Sequence, residues 1–218
     1  MSGQSELGRL AATRSGDRPR AHEGTSDTEA AIFDATERLL ADVPLHDLSV
    51  AQIIAAAGIS RATFYFYFSS KFAVLSGLLA KVTDEIFEMV QPFVRREATV
   101  APRDALEQSL TAAVKLWATH RPALRAIHEH WNTTAELREL WLGVVERFTE
   151  AAAAEIDRER EAGLARPGVD SRRLAAVLMW SSERCLYVAG LGSDSNLPDE
   201  ESTLAPLLGL WSAALYGR

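Results

Sequence analysis

The 218-residue chain has almost no cysteine and no long hydrophobic run. Cys185 is its single cysteine, which excludes an intrachain disulfide and a metal cage built from cysteines. The longest uninterrupted apolar run, residues 174–180, is far too short to span a bilayer, and the first residues lack the apolar stretch of a secretory signal. We therefore expect a soluble, cytoplasmic protein that does not bind a membrane.

Positive charge is also scarce. The formal net charge is -7 and the pI is about 5.3, whereas nucleic-acid-binding domains usually carry a basic face. The deficit is uneven, because residues 1–83 hold 8 Lys and Arg against 9 Asp and Glu, while the remaining residues hold 15 against 21. The acidic balance argues mildly against a nucleic-acid partner, and the nearly neutral N-terminal part weakens that argument.

Motifs for catalysis and for metal binding are missing as well. The sequence has no glycine-rich phosphate loop and no G-x-S-x-G elbow. His128 and His130 would lie about 200° apart on a helix and could not chelate one metal ion, and the two-histidine motif of zinc proteases is absent. We expect no catalytic residue, no metal ligand and no cofactor, so the chain is not predicted to be an enzyme.

Helical signals fill the chain after residue 25, and the residues before it have little to bury, which predicts a mobile arm. Apolar residues then recur every three to four positions. The predicted helices cover residues 28–42, 50–57, a short stretch after Ser60, about 71–94, 103–120, 122–131, 134–162, 170–191 and 201–216.

Two of these helices are joined by a very short turn. Ser49 and Gln52 form a Ser-x-x-Gln capping box, in which each side chain bonds a backbone donor at the start of a helix. Gly58 can adopt the left-handed conformation that ends this helix, and Ser60 can cap the next one only two residues later. Helices joined in this way cross steeply, so the pattern predicts a helix-turn-helix.

The stretch "ISRATFYFYFSSK" contains five consecutive aromatic residues, 64–68. A strand here would be alone in the chain, with no neighbour to complete its hydrogen bonds, so we predict a helix. Phe64 and Phe68 would lie one turn apart and close a core with three aliphatic residues, Leu39, Ile53 and Ile54. Tyr65, Phe66 and Tyr67 exceed what that core needs, and a helix that reads DNA explains the excess, because hydroxyls bind phosphate and ring edges contact thymine methyls.

Residues 28 to about 80 resemble the DNA-binding domain of the TetR family of one-component repressors, in the Gly-Ile-Ser turn, the aromatic third helix and the lysine just inside the fourth. The segments "ERCLYVAG" and "LWSAALYG" extend the resemblance, more weakly, to the C-terminus. It implies an all-α homodimer of about nine helices, which binds a double-stranded DNA operator and a small hydrophobic effector. The implied division is a flexible arm at 1–25, a helix-turn-helix domain at 26–72, and a ligand-binding and dimerisation domain at 73–218.

The resemblance also implies which residues contact DNA. The residues that would face the major groove or its phosphates are Ser60, Arg61, Ala62, Thr63, Tyr65, Phe66 and Tyr67, and those that would hold the DNA backbone are Ser49, Gln52 and Lys71. Arg9, Arg14, Arg18 and Arg20 of the arm could add contacts in a minor groove. The alternative for the arm is a disordered segment that serves solubility.

All five tryptophans lie in the C-terminal part. Aromatic-lined cavities between helices bind small apolar ligands, although tryptophans at helical spacing are often plain core residues. The predicted effector contacts are Trp117, Trp141, Phe148, Trp180, Tyr187 and Trp211. One mycobacterial member of the family has ligand-facing amides that would fall here at Met179 and Ser182, so its polar recognition is not reproduced. We expect a repressor that its effector releases from DNA, with an activator or a metal-responsive regulator as alternatives.

Overall fold

The computed structural model describes residues 23–217, which hold ten α-helices and no strand. The helices are α1 Glu23–Asp42, α2 Val50–Ala57, α3 Arg61–Tyr67, α4 Lys71–Met89, α5 Gln91–Val94, α6 Pro102–Thr119, α7 Arg121–His130, α8 Ala135–Glu161, α9 Ser171–Gly190 and α10 Leu204–Tyr216. A 3₁₀ turn, Glu201–Thr203, precedes α10. The all-α class is confirmed. The arginines of the predicted arm lie outside the described residues.

Three helix boundaries differ from the sequence prediction. The fourth helix was expected to continue to about residue 94, but α4 ends at Met89 and a separate short helix follows, with Pro92 in its first turn. Proline has no N–H to donate, and its ring clashes with the carbonyl four residues earlier, so a helix cannot pass through it unbroken. In addition, α1 starts at Glu23 rather than 28, and α10 starts after the 3₁₀ turn.

The chain divides into two compact units, each with its own core. The first unit contains the described residues up to Asp84 together with Pro122–Trp141. The second contains Glu85–Arg121 and residues 142–217. The functional boundary predicted at residue 72 stays a prediction, because compactness does not test which part performs which function.

The core of the first unit is built beneath α3. Phe64 is fully buried and Phe68 nearly so, and their ring centroids lie 6.2 Å apart. The other fully buried aliphatic side chains of this core include Ile32, Leu40, Leu45, Leu48 and Ile53. The prediction of Leu39 and Ile54 as core residues was wrong in detail, since both are only half-buried. Helical periodicity does not decide between adjacent residues such as Leu39 and Leu40.

Gly77 allows α4 to approach α1 closely. A Cβ atom at this position would lie 2.9 Å from Cζ of Phe33 and 3.4 Å from Cε1 of Phe68. The Phe33 and Phe68 rings lie 5.5 Å apart, so the glycine faces an aromatic pair that supports α3 from below. The first unit therefore has no space for a larger residue here without movement of those rings.

The second unit has a core to which five helices contribute. Its buried residues are Phe93, Val94, Leu106, Leu110, Ala152, Ala153, Ile156, Ala175, Leu178, Trp211 and Leu215. The Trp211 ring packs edge-on against Phe93 at 5.7 Å, and its indole N–H donates to the hydroxyl of Ser182 at 3.0 Å. A tryptophan buried in this way needs a partner for its N–H, and Ser182 on α9 supplies it.

A buried polar cluster joins α8 to the last turn of α10. Glu155 and Glu159 on α8 are almost inaccessible to solvent. Arg96 donates to Glu159 at 3.2 Å, Arg158 pairs with Glu155, and the hydroxyl of Tyr216 donates to Glu159 at 2.9 Å. Burial raises the pKa of Glu155 above its ordinary value, although the two arginines oppose that rise. The pKa of the Tyr216 hydroxyl is also raised, first by burial and then by the neighbouring Glu159 carboxylate.

Within residues 23–217, no helix combines the length and the apolar character that crossing a membrane requires.

Candidate DNA-binding site

The capping box predicted at the start of α2 is present. The hydroxyl of Ser49 accepts from the backbone N–H of Gln52 at 3.2 Å, and the side-chain oxygen of Gln52 accepts from the backbone N–H of Ser49 at 2.8 Å. Ser49 itself has extended backbone angles, as a residue that precedes a helix must. The reciprocal bonds fix the direction in which α2 begins.

The turn between α2 and α3 follows the sequence prediction. Gly58 has φ +66 and ψ 30, and its N–H bonds back to α2. A Cβ atom here would meet nothing within 4 Å, so the backbone conformation, not lack of space, is what favours glycine. Ser60 then caps α3 by accepting from the N–H of Thr63 at 3.0 Å.

The seven-residue helix α3 has two distinct sides. Phe64 faces the core, whereas Tyr65 is 47% exposed and Phe66 is 57% exposed. Ser60, Arg61 and Ala62 are also exposed, and Thr63 and Tyr67 are half-buried. The guanidinium of Arg61 lies 5.4 Å from the Tyr65 ring centroid, which holds the arginine along the outer side of the helix. Two of the three aromatic residues that exceed the needs of the core, Tyr65 and Phe66, therefore lie at the surface, and the third, Tyr67, is half-buried.

Lys71 has a different environment from the one expected of a residue that holds the DNA backbone. Its ammonium nitrogen donates to the carbonyls of Leu45, His46 and Leu48 at 2.7, 3.0 and 2.8 Å. An ammonium group has three protons, and three carbonyls account for all of them. All three protons of the ammonium group are used in this arrangement, and a contact between Lys71 and the DNA backbone stays a prediction.

The predicted effector residues fall into both units. Trp141 belongs to the first unit, where it is buried and packs edge-on against His128 at 4.8 Å. Trp117 and Trp211 are buried in the second unit, and Phe148, Trp180 and Tyr187 are half-buried there. Phe148 packs against Phe87 at 5.3 Å. Within the second unit α6, which carries Trp117, packs against two other helices. These are α9, which carries Trp180 and Tyr187, and α10, which carries Trp211.

The two histidines of α7 are hydrogen-bonded within their own helix. Nδ1 of His128 donates to the carbonyl of Leu124, and Nδ1 of His130 donates to that of Ala126, both at 2.8 Å. Among residues 23–217, no three His, Cys, Asp or Glu side chains gather closely enough to hold a metal ion.

Two residues, Lys71 and Ser182, make contacts that the sequence did not predict. The role of Lys71 depends on carbonyls 23 to 26 positions earlier in the chain, and no local pattern records such a contact. The sequence indicated only that Ser182 replaces an amide found in a related protein. In the structure its hydroxyl accepts a hydrogen bond from the indole N–H of Trp211, 29 positions later. The sequence offered one signal for this contact, because a buried tryptophan needs an acceptor for its indole N–H.

Two family descriptions match the chain. Residues 32–78 match "Bacterial regulatory proteins, tetR family", and residues 106–217 match "Transcriptional regulator EthR, C-terminal domain". The first match covers α2, α3 and the turn between them. The second covers more than half of the chain.

Similar proteins agree with these matches. The chain is 33% identical over 200 residues to the HTH-type transcriptional regulator EthR of Mycobacterium tuberculosis, covering 92% of each protein. It is 32% identical over 213 residues to EthR of Mycolicibacterium smegmatis, covering 96% of this chain and 92% of that protein. SmeT, the repressor of the Stenotrophomonas maltophilia multidrug efflux pump SmeDEF, has the same fold with a TM-score of 0.69 at 19% identity, over 87% of this chain and 92% of that one.

The helix-turn-helix of α2 and α3, the match of the C-terminal region and the identity along nearly the whole chain lead to one conclusion. The chain belongs to the TetR family of helix-turn-helix transcriptional regulators, with a C-terminal domain of the EthR type.

Proposed function

We propose that the protein is a repressor whose dimer binds a palindromic operator through α3 and leaves it when a small hydrophobic effector binds the C-terminal region. The observation that carries the proposal is the exposed side of α3. A short helix capped by Ser60 and anchored by Phe64 presents Arg61, Tyr65 and Phe66 to solvent. We propose a cytoplasmic location, because the proposed function is performed on DNA.

Each exposed residue of α3 suits a different part of the duplex. Arg61 can donate two parallel bonds to a guanine edge or to a phosphate, and Ala62 is small enough to let the helix approach the bases. Tyrosine hydroxyls bind phosphate, and the Phe66 ring suits a thymine methyl. The proposed groove-facing set is Ser60, Arg61, Ala62, Thr63, Tyr65, Phe66 and Tyr67, with Ser49 and Gln52 near the phosphates at the start of α2.

The composition of the last helix supports the proposed dimer. No residue of α10, "LAPLLGLWSAALY", carries a charge, and its exposed positions are Ala205, Pro206, Gly209, Leu210 and Ala213. A charge-free outer face of small and apolar residues is unusual for a helix in water and suits a second helix packed closely against it. We propose that this face pairs with its copy across a two-fold axis.

The proposed effector is a mostly hydrophobic molecule that contacts the half-buried Phe148, Trp180 and Tyr187 and the buried Trp117 and Trp211. Half-buried rings can accept an apolar ligand at little rearrangement. SmeT was solved as a complex with triclosan, and a regulator of similar fold from Saccharomonospora viridis was solved with choline. A contact from Trp141 stays a prediction.

Release from the operator depends on the distance between the two copies of α3 in the proposed dimer. Two recognition helices must lie about 34 Å apart, or a small multiple of that, to enter successive major grooves on one side of the duplex. An effector that binds the splayed state better than the DNA-bound state lowers operator affinity, with a coupling of typically about 1–3 kcal/mol.

Footprinting on the DNA that flanks the protein's own gene tests the proposal. We expect a protected palindrome whose half-sites are centred about 10 base pairs or a small multiple apart. Addition of the apolar esters, ketones and aromatic compounds that raise the melting temperature should remove the protection. Absence of a protected palindrome would refute operator binding, and protection that no stabilising compound alters would refute release by an effector.

Substitution of Arg61 or Tyr67 by Ala tests the placement of α3. Each should weaken operator binding by about 1–3 kcal/mol, because each removes a contact with the duplex. Sedimentation should show an unchanged dimer, because α3 lies far along the chain from the proposed α10 interface. A variant that loses the dimer would show that its residue supports assembly instead of DNA contact.

A further inference from the structure

We infer that Lys71 is a positioning residue, whose ammonium group fixes the loop before α2 and thereby aims the start of α2 at the DNA backbone. The inference rests on the proposed operator binding. It gives Lys71 a role in DNA affinity that does not involve a phosphate contact.

The three carbonyls around Lys71 form a site that matches an ammonium group. The carbonyl oxygens of Leu45, His46 and Leu48 lie 2.7, 3.0 and 2.8 Å from Nζ. Three converging carbonyl dipoles repel each other unless a cation lies among them. An arginine would not replace the lysine, because its donors lie in one plane and point outward as a fork.

The loop itself is held at two points. The side chains of Leu45 and Leu48 are buried in the core of the first unit, and the N–H groups of Asp47 and Leu48 donate to the carbonyl of Pro44 at 3.0 and 3.1 Å. Lys71, at the first position of α4, binds three carbonyls of the same loop. The loop is thus fixed between the core and a charged group on another helix.

The residue that follows this loop is Ser49, the N-cap of α2. Its backbone N–H bonds the Gln52 side chain, and the direction of α2 depends on that box. The first N–H groups of a helix have no partner within the helix and are suited to bind a phosphate. A shift of residues 45–48 would therefore move these donors away from the DNA backbone.

The charge pattern makes the two possible roles of Lys71 separable. Arg61 is the only charged residue between positions 49 and 70. A side chain that neutralises a phosphate contributes about 0.9 to the slope of log affinity against log salt concentration, so one contact per protomer is worth about two units in a dimer. A lysine that binds only carbonyls contributes nothing to that slope.

The experiment compares Lys71→Met, Lys71→Arg and Arg61→Gln on the protected DNA, each measured at several salt concentrations. We expect Lys71→Met to lose about tenfold in affinity, the scale of a lost helix cap, with a wild-type salt slope. Lys71→Arg should also lose affinity although it keeps the charge. Arg61→Gln, the control for a direct contact, should lower the slope by about two units.

A double-mutant cycle shows whether Lys71 acts through the start of α2. Loss of affinity in Lys71→Met and Ser49→Ala should be strongly non-additive, whereas Lys71→Met and Arg61→Gln should add. A role in stability alone would give additive effects in both pairs, and that result would overturn the inference. So would full affinity in Lys71→Arg together with a reduced slope in Lys71→Met, which indicates a direct phosphate contact.

Hydrogen exchange of the free protein keeps the inference testable if a variant binds no DNA because it is unfolded. Lys71→Arg, which keeps the charge, should exchange faster at residues 45–52 and keep wild-type rates in α9 and α10. Unchanged rates at residues 45–52 would overturn the inference without reference to DNA. Failure of the wild-type protein to protect any DNA would instead refute the proposed function.

Discussion

At the scale of single residues, Gly77 shows how one absent side chain supports the recognition helix. The hydrogen that glycine carries in place of a Cβ faces Phe33, and Phe33 in turn packs on Phe68 directly after α3. Larger residues are excluded by neighbouring rings and not by the backbone, since φ at this position is ordinary for a helix.

Substitution of Gly77 by Ala is therefore expected to destabilise the protein. The new methyl group would overlap the Phe33 ring, at a typical cost of about 1–3 kcal/mol, which exceeds the gain of about 1 kcal/mol that alanine brings to a helix. Urea unfolding measures the difference. Phe33→Leu should recover part of the loss in the double variant, because it removes the ring that the methyl group meets. Additive losses in the two variants would contradict the close contact.

The same scale separates what the sequence reveals from what it does not. The Ser49 and Gln52 box was predictable because its partners lie three residues apart. The exposure of Tyr65 and Phe66 was predictable because a helix this short has room for few rings on its buried side. The clamp by Lys71 was not, because the carbonyls it binds are brought to it only by tertiary packing.

At the scale of helices, a proline explains why α4 ends where it does. Pro92 was visible in the sequence, and its missing donor explains why Met89 ends one helix and Gln91 begins another. The apolar period continues through the break, so the period alone predicted one long helix. At this position the proline, and not the continuing apolar period, decides where the helix ends.

One hydroxyl adds a hydrogen bond to the apolar contacts between α10 and α8. Tyr216→Phe should lower the free energy of unfolding by about 1.5–3 kcal/mol, because the buried Glu159 carboxylate loses the donor that lies 2.9 Å away. Urea unfolding gives the value. Tyr65→Phe is the matched control and should change stability by less than about 0.5 kcal/mol, since that ring is exposed. Equal small effects would mean that the Tyr216 bond adds nothing to stability.

Glu155 of the same cluster predicts how stability depends on pH. Its pKa in the folded protein is raised above the ordinary 4.5, chiefly by burial. The unfolded protein therefore releases this proton at a lower pH than the folded protein does, and stability falls as pH rises from 4.5 through the folded pKa. Glutamine resembles the protonated acid and does not titrate. The free energy of unfolding of wild type, measured against Glu155→Gln, should decline over this window and then level off. A rise would mean that the arginines outweigh burial.

At the scale of the whole molecule, the charge-free face of α10 predicts assembly. Leu210→Glu should dissociate the proposed dimer, because it places two carboxylates near the proposed two-fold axis, and sedimentation at micromolar concentration measures this. The substituted side chain is 45% exposed in the single chain, so folding should be unaffected. Leu164→Glu is the control, because Leu164 is similarly exposed, at 47%, in the loop after α8. If both variants remain dimeric, α10 does not form the interface.

Because α3 has only two turns, temperature limits the conditions under which the protein can bind DNA. A peptide of seven residues has no stable helix in water, so the order of its outward-facing aromatic side chains depends on the burial of Phe64 and Phe68 in the core of the first unit and on the cap at Ser60. Warming that loosens this support would disorder the reading surface before the rest of the fold melts. Repression would then be lost at a lower temperature than the helical fold itself, and the regulated genes would be expressed without any effector.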